Sequence, residues 1–354
     1  MKITEIETPA LVLDREALLR NLQSAKVLAQ AAGIALRPHY KSHRCPYLAK
    51  LQMEYGAKGI TCAKVGEAED VYAAGIRDIL IANQVTVPSK IARLAKLAHD
   101  AWIGVCVDDR QNILDLEAAA NREGVTLSVL VEFDVGMKRC GVYTNEEVLA
   151  LTEVIAKQPH LRFGGIQAYA GQLSHEADFK KRMGDSEAIE EQLSQLKAFL
   201  TEKGLPPKEI SGMSTGTLPL RQTLPTVYTE SQAGSYLFMD AAYNLLDLPF
   251  ENALFIFSSV ISVNGDVFIT DAGLKTCSVD QEKPVLMGHP EALVKLSEEH
   301  ITNRLPGHRA KVNDTVRYIP GHCCTNVNLF DRIYLVSGDE VKEILPVTSR
   351  GKSQ

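Results

Sequence analysis

Short apolar runs and amphipathic stretches alternate along the first two thirds of the chain. Between most of the β-rich runs, apolar residues fall at i, i+3, i+4 and i+7, which is the pattern of one helix face. This alternation predicts a parallel sheet covered by helices. Eight units over roughly 200 residues fit an α/β fold of the (β/α)8 TIM-barrel type, and an open doubly wound sheet is the alternative. The predicted strands are 35–41, 59–63, 78–83, 102–108, 126–134, 163–171, 209–215 and 227–236.

The pattern changes after about residue 240. The segment LFIFSSVISVNGDVFITDAG contains two β-rich runs joined by Asn264-Gly265, which is a strong hairpin signal. The later segments KVNDTVRYI and RIYLVSGDEVKEIL are also strand-like. We therefore predict a barrel domain at 8–240 and a smaller antiparallel β domain at 241–354, to which residues 1–14 are expected to add a strand.

Composition limits the class of protein. Hydrophobic residues make up 45% and charged residues 23%, as in an ordinary soluble globular protein. The net charge of −6 argues against nucleic-acid binding, which needs a basic face. The chain has neither an apolar run long enough for a membrane span nor the apolar core of a signal peptide at its start. Seven irregularly spaced cysteines do not predict a disulfide framework, so we expect a cytoplasmic protein with reduced thiols.

Lys41 is the first candidate for chemistry. In a barrel, active residues lie at the C-terminal ends of the strands, and Lys41 ends the first predicted strand in RPHYKSHRCP, beside His39. A single lysine is usually a solvated surface residue. A lysine desolvated in a barrel pocket, however, is the kind of amine that forms a Schiff base.

Two loops that carry glycine and hydroxyl groups follow the last two predicted strands. Glycine lets the backbone approach a phosphate, and hydroxyl and free N–H groups bind it. Phosphate sites on barrels often form from the loops after strands seven and eight. Each loop alone is more often a plain turn, but with Lys41 they favour a phosphorylated aldehyde cofactor. The loop residues are Ser214, Thr215, Gly216 and Thr217 after the seventh strand, and Gly234, Ser235 and Tyr236 after the eighth.

Two further strand ends carry candidate ligand-binding side chains. Arg139 follows the fifth predicted strand in DVGMKRCGV and is a candidate for contact with a cofactor ring or a substrate carboxylate, with a surface arginine as the alternative. Tyr169 follows the sixth strand in QAYAG and is a candidate for stacking on the ring, with a core tyrosine as the alternative. His175 lies just beyond.

The second domain contains Pro320-Gly321-His322-Cys323-Cys324. In an extended segment His322 and Cys324 would point to one side and Cys323 to the other. Imidazole and thiolate suit zinc or a similar transition metal, and two ligands would fit an open catalytic site rather than a structural one. On spacing alone a buried histidine with two apolar thiols is the more common case.

These segments together resemble the D-threonine aldolase and D-serine dehydratase family of pyridoxal 5'-phosphate (PLP) enzymes, relatives of alanine racemase. The resemblance rests on TPALVLD, RPHYKSHRCP, CAKVGEAE, DVGMKRCGV, QAYAG, STGT, ESQAGSYLFMD, SEEH and PGHCCTNVN, which span almost the whole chain. It implies that Lys41 holds PLP as a Schiff base. It also implies that His322 and Cys324 bind a divalent metal, zinc or manganese.

The resemblance implies a lyase acting on a D-amino acid with a β-hydroxyl group. In an aldolase, cleavage of Cα–Cβ gives glycine and an aldehyde, and His175 is then the candidate base. In a D-serine or D-threo-3-hydroxyaspartate dehydratase, loss of hydroxide gives a keto acid and ammonia. STGT and QAGSYLFMD look more like the aldolases, whereas Cys324 looks more like the dehydratases, because known aldolases often carry aspartate there. We expect an aldolase of the D-threonine aldolase type.

Three other expectations concern rivals and assembly. A non-catalytic PLP carrier resembles the barrel alone and would lack the second domain. An amino-acid racemase would need a second base, usually a tyrosine, that we do not identify in the sequence. Analogy with the family suggests a homodimer.

Overall fold

The computed structural model describes residues 1–222, 225–307 and 309–354, which divide into two compact units. The barrel unit comprises Ala25–Lys41, Pro46–Gly234 and Lys352–Gln354. The β unit comprises Met1–Ser24, Ser42–Cys45 and Ser235–Gly351. The domain boundary predicted at residue 240 stays a prediction.

The described residues form seventeen strands and eight α-helices, numbered in chain order. The strands are β1 Ala10–Asp14, β2 Ala35–Leu36, β3 Ile60–Cys62, β4 Asp78–Gln84, β5 Trp102–Val107, β6 Leu127–Glu132, β7 Leu161–Ala168, β8 Glu209–Gly212, β9 Glu230–Ser231, β10 Leu254–Asn264, β11 Val267–Thr270, β12 Val285–Leu286, β13 Leu293–Leu296, β14 Ile301–Arg304, β15 Thr315–Ile319, β16 Arg332–Ser337 and β17 Glu340–Pro346. The helices are α1 Arg15–Ala32, α2 Pro46–Glu54, α3 Val65–Ala73, α4 Pro88–Leu97, α5 Arg110–Glu123, α6 Asn145–Ala156, α7 Phe179–Glu202 and α8 Cys323–Val327.

The barrel unit is built on a parallel sheet of eight strands. Their order is β2-β9-β8-β7-β6-β5-β4-β3, and a parallel bridge between His39 and Thr61 links its two ends. All eight predicted strands are present, and helices connect most of them. The predicted TIM-type barrel is therefore confirmed.

The helices form because one face of each is apolar. In α4 the residues Ile91, Leu94 and Ala95 are buried, and Pro88 occupies the first turn, where a missing N–H is harmless. They pack in one core with outward strand residues such as Ile79 and Ile81. Each fully buried aliphatic side chain contributes about 1.5–3 kcal/mol to stability.

The first barrel strand is shorter than predicted. β2 ends at Leu36, and Lys41 lies in a 3-10 helix at Tyr40–Ser42 instead of at a strand end. Pro38 has no N–H to donate to a neighbouring strand, which explains why regular pairing stops before it. The chain still continues along β3, because Thr61 donates its backbone N–H to Pro38 O at 2.9 Å.

The β unit contains a second, mainly antiparallel sheet. Its main order is β13-β14-β11-β10-β1-β16-β17, with β15 on β10 and β12 on β15. β1 pairs antiparallel with β10 and parallel with β16. The predicted hairpin is present, but its turn is Gly265-Asp266, because Asn264 pairs with Val267. Gly265 has φ +63°, which suits glycine at the first turn position.

Two expectations drawn from composition can be compared with the structure. None of the seven cysteines forms a disulfide in the described chain. Among the described helices, none has both the length and the apolar character needed to cross a membrane.

Gly165 in β7 gives a prediction about stability. Its φ is +144°, and a Cβ there would lie 1.8 Å from Glu209 O, so Gly165→Ala should lower the free energy of unfolding by about 3 kcal/mol. Gly184 in α7 is the matched control, because a Cβ there would have nothing within 4 Å and Ala favours a helix. Gly184→Ala should raise stability by about 0.5–1 kcal/mol. Urea unfolding followed by circular dichroism measures both, and equal midpoints would contradict the prediction.

Candidate functional site

One cavity in the barrel unit contains four of the predicted site residues. Lys41, His39, Arg139 and Tyr169 all line it. Lys41 Nζ lies 5.6 Å from the centroid of the Tyr169 ring, and Arg139 Cζ lies 5.8 Å from the same centroid. An amine, a guanidinium and an aromatic face therefore share one pocket. The other lining residues are Ala63, Ala82, Asn83, Cys140, Gln167 and Gln232.

The loop after β6 places Arg139 at this cavity. The Asp134 carboxylate accepts the backbone N–H groups of Gly136 at 2.7 Å and Arg139 at 3.2 Å. Gly136 has φ +108°, and Gly141 has φ +102°, where a Cβ would lie 2.9 Å from Glu132 O. Both turns therefore favour glycine, and the sequence DVGMKRCG fixes a tight loop around the arginine.

Glu132 is a residue that the sequence reasoning missed. It ends β6, is 5% exposed, and accepts a hydrogen bond from Gln84 Nε2 at 2.6 Å. Arg139 Nη2 lies 3.6 Å from Glu132 Oε1. Burial raises the pKa of Glu132, against the lowering effect of Gln84 and Arg139. The strand alternation in LSVLVE, which turns Leu130 and Glu132 to the same face, was the available signal.

The predicted Ser214–Thr217 loop follows β8 directly. Its hydroxyl residues are all buried, and Ser214 donates its backbone N–H to Thr217 Oγ1 at 2.9 Å. Met213 has φ +61°, which turns the chain sharply out of the strand. Hydroxyl and backbone N–H groups are of the kind that bind phosphate, and the phosphate-binding role of this loop stays a prediction.

The second predicted phosphate loop is divided between the two units. Gly234 ends a segment of the barrel unit, whereas Ser235 and Tyr236 begin a segment of the β unit. Ser235 Oγ lies 3.4 Å from Cys324 Sγ, and Tyr236 packs its ring 5.7 Å from that of Phe250. The phosphate-binding role of these three residues stays a prediction.

His175 lies beyond the 3-10 helix Gly171–Leu173 and is partly buried. It is not one of the residues that line the Lys41 cavity in the described chain. Its neighbour Ser174 is hydrogen-bonded through Oγ to Tyr169 OH at 3.1 Å. This bond ties the His175 segment to the tyrosine of the pocket.

The predicted metal ligands His322 and Cys324 lie at the start of α8. The expectation of an extended segment is wrong, because Cys323 already begins the helix and His322 is its N-cap. Asp240 explains this start, since its carboxylate accepts the Cys323 N–H at 2.8 Å. His322 and Cys324 are nevertheless hydrogen-bonded to each other. Cys324 Sγ also lies 3.4 Å from Ser42 Oγ.

Asp280 is a second residue that the sequence reasoning missed. Its Oδ2 lies 2.7 Å from His322 Nδ1. Burial lowers the pKa of His322, but Cys324 and Asp280 outweigh it and raise the pKa to about 9. Burial likewise raises the pKa of Asp280, but hydrogen bonds from Ser278, His322 and Thr325 lower it to about 2. Asp280 and His322 are 42 residues apart, so only the fold pairs them.

An imidazole beside a thiol is a donor set suited to zinc. With Asp280 on Nδ1, the ring nitrogen left for a metal is Nε2. No group of three or more His, Cys, Asp or Glu side chains able to hold an ion was found in the part of the chain that the structure describes.

A larger open groove of about 810 Å³ lies along α7. Glu187, Glu190, Glu191 and Lys197 line it, together with residues 221 and 225–227. Although it exceeds the Lys41 cavity in volume, its lining contains none of the predicted site residues. The Lys41 cavity, which four of them line, is therefore the candidate site.

Known protein families and proteins match this chain over almost its whole length. The profile of the alanine racemase N-terminal domain matches residues 13–242, and that of a putative serine dehydratase domain matches residues 253–336. The 3-hydroxy-D-aspartate aldolase of Paracoccus denitrificans (strain Pd 1222) is 40% identical, over 99% of this chain and 94% of that protein. The chain belongs to the D-threonine aldolase and D-serine dehydratase family of PLP enzymes.

Two other family members help to place the chain. The crystal structure of D-threonine aldolase from Filomicrobium marinum has a TM-score of 0.96 and 36% identity, covering 100% of this chain and 98% of that one. The D-threo-3-hydroxyaspartate dehydratase of Delftia sp. (strain HT23) is 30% identical, over 78% of this chain and 74% of that protein. Within the family, this chain is therefore more similar to these two aldolases than to this dehydratase.

The residues of the barrel unit fit the cofactor of this family. PLP carries an aldehyde, an aromatic ring and a phosphate. The Lys41 cavity offers an amine for the aldehyde, and Arg139 and Tyr169 for the ring. The buried Ser214–Thr217 loop offers hydroxyl groups for the phosphate. The chemistry of the donor set thus matches each part of the cofactor.

Proposed function

We propose that this protein is a PLP- and divalent-metal-dependent aldolase that cleaves D-3-hydroxy-amino acids into glycine and an aldehyde. The observation that carries the proposal is the convergence of Lys41, Arg139 and Tyr169 on one cavity. The whole-length similarity to the two aldolases supports the choice of reaction. The proposed substrate class includes amino acids of the threonine, phenylserine and 3-hydroxyaspartate types.

In this proposal the side chains of the barrel unit bind and orient the cofactor. Lys41 would hold it as a Schiff base, and His39, Arg139 and Tyr169 would surround its ring. Ser214, Thr215, Gly216 and Thr217 would bind the phosphate. When bound, PLP supplies an electron sink for the bond that breaks at Cα.

The retro-aldol reaction needs a base for one proton. The β-hydroxyl group loses its proton, the Cα–Cβ bond breaks, and its electron pair stays on Cα until a proton returns there to give glycine. We propose His175 as the base, because its segment is tied to Tyr169 through Ser174. A divalent metal on His322 and Cys324 would act as a Lewis acid on the hydroxyl oxygen.

A dehydratase is the second candidate. The thiol of Cys324 favours it, because the family's aldolases often carry aspartate at this position. A thiolate also favours zinc over manganese or magnesium. In that case the Cα proton is removed and hydroxide is expelled, which leaves an enamine. The enamine tautomerises to an imine, and hydrolysis of the imine gives a keto acid and ammonia.

Product analysis separates the two reactions. The purified protein is incubated with PLP, Zn²⁺ or Mn²⁺ and D-threonine, with L-threonine and EDTA-treated samples as controls. We expect glycine and acetaldehyde to form from D-threonine but not from L-threonine. Neither product should form in the EDTA-treated samples. Formation of 2-oxobutanoate and ammonia would overturn the aldolase and establish the dehydratase. Activity that persists after metal removal would overturn the metal requirement.

Asp280 gives a prediction about metal affinity. A carboxylate on the second ring nitrogen of a metal-binding histidine fixes the tautomer and orients the ring. Asp280→Asn should therefore weaken Zn²⁺ binding about 10- to 100-fold, measured by calorimetry. Glu282→Gln is the matched control, since it removes an equal charge from an exposed side chain two residues away. Equal affinities in the two variants would contradict a positioning role for Asp280.

A further inference from the structure

A row of polar side chains crosses the interior of the barrel. Gln167, Ser211 and Glu230 are register partners on β7, β8 and β9, and each is at most 1% exposed. Barrel interiors are usually filled with branched aliphatic side chains. Burying polar groups is unfavourable unless they are hydrogen-bonded, so the arrangement of this row needs an explanation.

The row begins at an ionised carboxylate. Glu230 Oε1 accepts hydrogen bonds from Arg37 Nε at 2.8 Å and from Ser211 Oγ at 2.7 Å, and Lys58 Nζ lies 3.1 Å from Oε2. Burial alone would raise the pKa of Glu230, but Arg37 and Lys58 lower it below its ordinary value. An ionised carboxylate only accepts hydrogen bonds, so the Ser211 hydroxyl has to donate to it.

The donor-to-acceptor direction of the Ser211–Glu230 hydrogen bond also fixes the orientation of two side-chain amides. Ser211 has used its only proton, so its oxygen accepts from Gln232 Nε2 at 2.7 Å. The second N–H of Gln232 donates to Gln167 Oε1 at 2.7 Å, and Gln167 Nε2 donates to Gln232 Oε1 at 3.3 Å. The amide oxygen and nitrogen are similar in shape, so this chain of bonds decides which way each amide points.

The two amides lie at the cavity that contains Lys41, since both Gln167 and Gln232 line it. One N–H of Gln167 Nε2 is used by Gln232, and the other has no acceptor among the residues that the structure describes. With the amide reversed, a carbonyl oxygen would stand in its place and would repel an anionic oxygen.

We propose that Glu230, acting through Ser211, is a positioning residue that makes Gln167 present an N–H donor to an anionic oxygen of the ligand in the Lys41 cavity. The inference rests on the proposed function, which places PLP and the amino-acid substrate there. The oxygen belongs either to the cofactor or to the substrate carboxylate. In the first case a variant of the network should change the affinity for PLP, and in the second case it should change the KM for the substrate.

Ser211→Ala tests the link, because it removes the hydroxyl but leaves Glu230 with Arg37 and Lys58. If the oxygen is the cofactor's, the Kd for PLP should rise about tenfold and the visible absorption of the bound cofactor should shift. If it is the substrate's, the Kd for PLP stays the same and KM for D-threonine rises about tenfold. Either result supports the proposal. A Kd, a spectrum and a KM all equal to those of the wild type would overturn it.

Asp78→Asn is the matched control. Asp78 is the other carboxylate bonded to Arg37, yet none of the described side-chain hydrogen bonds joins it to Ser211. This variant should lower the melting temperature, while the Kd for PLP and the KM for D-threonine stay within about twofold of the wild-type values. Equal changes in the Ser211→Ala and Asp78→Asn variants would show an effect of general packing and would overturn the proposal.

If Ser211→Ala does not fold, Ser211→Cys retains the volume and tests the same link. A wild-type protein that takes up no PLP would overturn the proposed function together with this inference.

Discussion

Replacement of Lys41 by alanine should abolish covalent PLP binding and reduce the cleavage of D-threonine by at least about 10³-fold. The reason is that, among the described residues that line the cavity, Lys41 carries the amine able to form a Schiff base with an aldehyde. Its Nζ lies 5.6 Å from the centroid of the Tyr169 ring. The visible absorption of the bound cofactor should disappear with it. Absorption spectroscopy of the protein after gel filtration with PLP measures this change.

Lys50→Ala is the control for the Lys41 variant. Lys50 is exposed on α2, so its loss removes one positive charge near the same part of the chain without touching the cavity. Its spectrum and rate should equal those of the wild type. Retention of the cofactor absorption by Lys41→Ala would show that another amine holds PLP.

Replacement of His322 or Cys324 by alanine should remove the metal and most of the activity. Each variant loses one of the two proposed protein ligands, so Zn²⁺ affinity should fall by more than about 100-fold, beyond the usual effect of an outer-shell residue. Metal content by elemental analysis and the rate of D-threonine cleavage measure the two effects. Added metal should not restore the rate at concentrations that saturate the wild type.

Two further substitutions make this test specific. Cys323→Ser changes the neighbouring thiol, which is buried and not a proposed ligand, and should leave metal content unchanged. Cys324→Asp replaces a soft ligand by a hard one and should shift the preference from Zn²⁺ towards Mn²⁺. Unchanged metal content in both alanine variants would contradict the proposed metal site.

The sequence predicts the barrel well because its signal is local. The alternation of β-rich runs with helical periodicity depends only on neighbouring residues, and all eight predicted strands are present in the structure. Their lengths are less predictable. β2 and β9 have two residues each, since pairing there depends on strands that lie far away in the sequence.

The candidate site was predictable where one residue at the end of a predicted strand, or in the loop after it, carries the chemistry. Lys41, Arg139 and Tyr169 were found in this way, and the structure brings them to one cavity. Residues that act through a partner were not found. The role of Asp280 can be recognised only from its contact with His322, which is 42 residues away in the sequence.

The polar row of the barrel shows the same limit. Gln167, Ser211 and Glu230 lie in three separate β-rich segments, and a sequence pattern gives no reason to join them. Their hydrogen bonds follow from the register of β7, β8 and β9, which is fixed by the barrel as a whole. Such networks can therefore be identified from a structure but not from periodicity.

The residue that holds the cofactor can be identified directly by chemical trapping. The protein is incubated with PLP, reduced with sodium borohydride and digested, and the modified peptide is identified by mass spectrometry. We expect a stable pyridoxyl group on Lys41, in the peptide that contains HYKSHR. A pyridoxyl group on a different lysine, or none on a protein that has been saturated with PLP, would contradict the assignment of the chemistry to the Lys41 cavity.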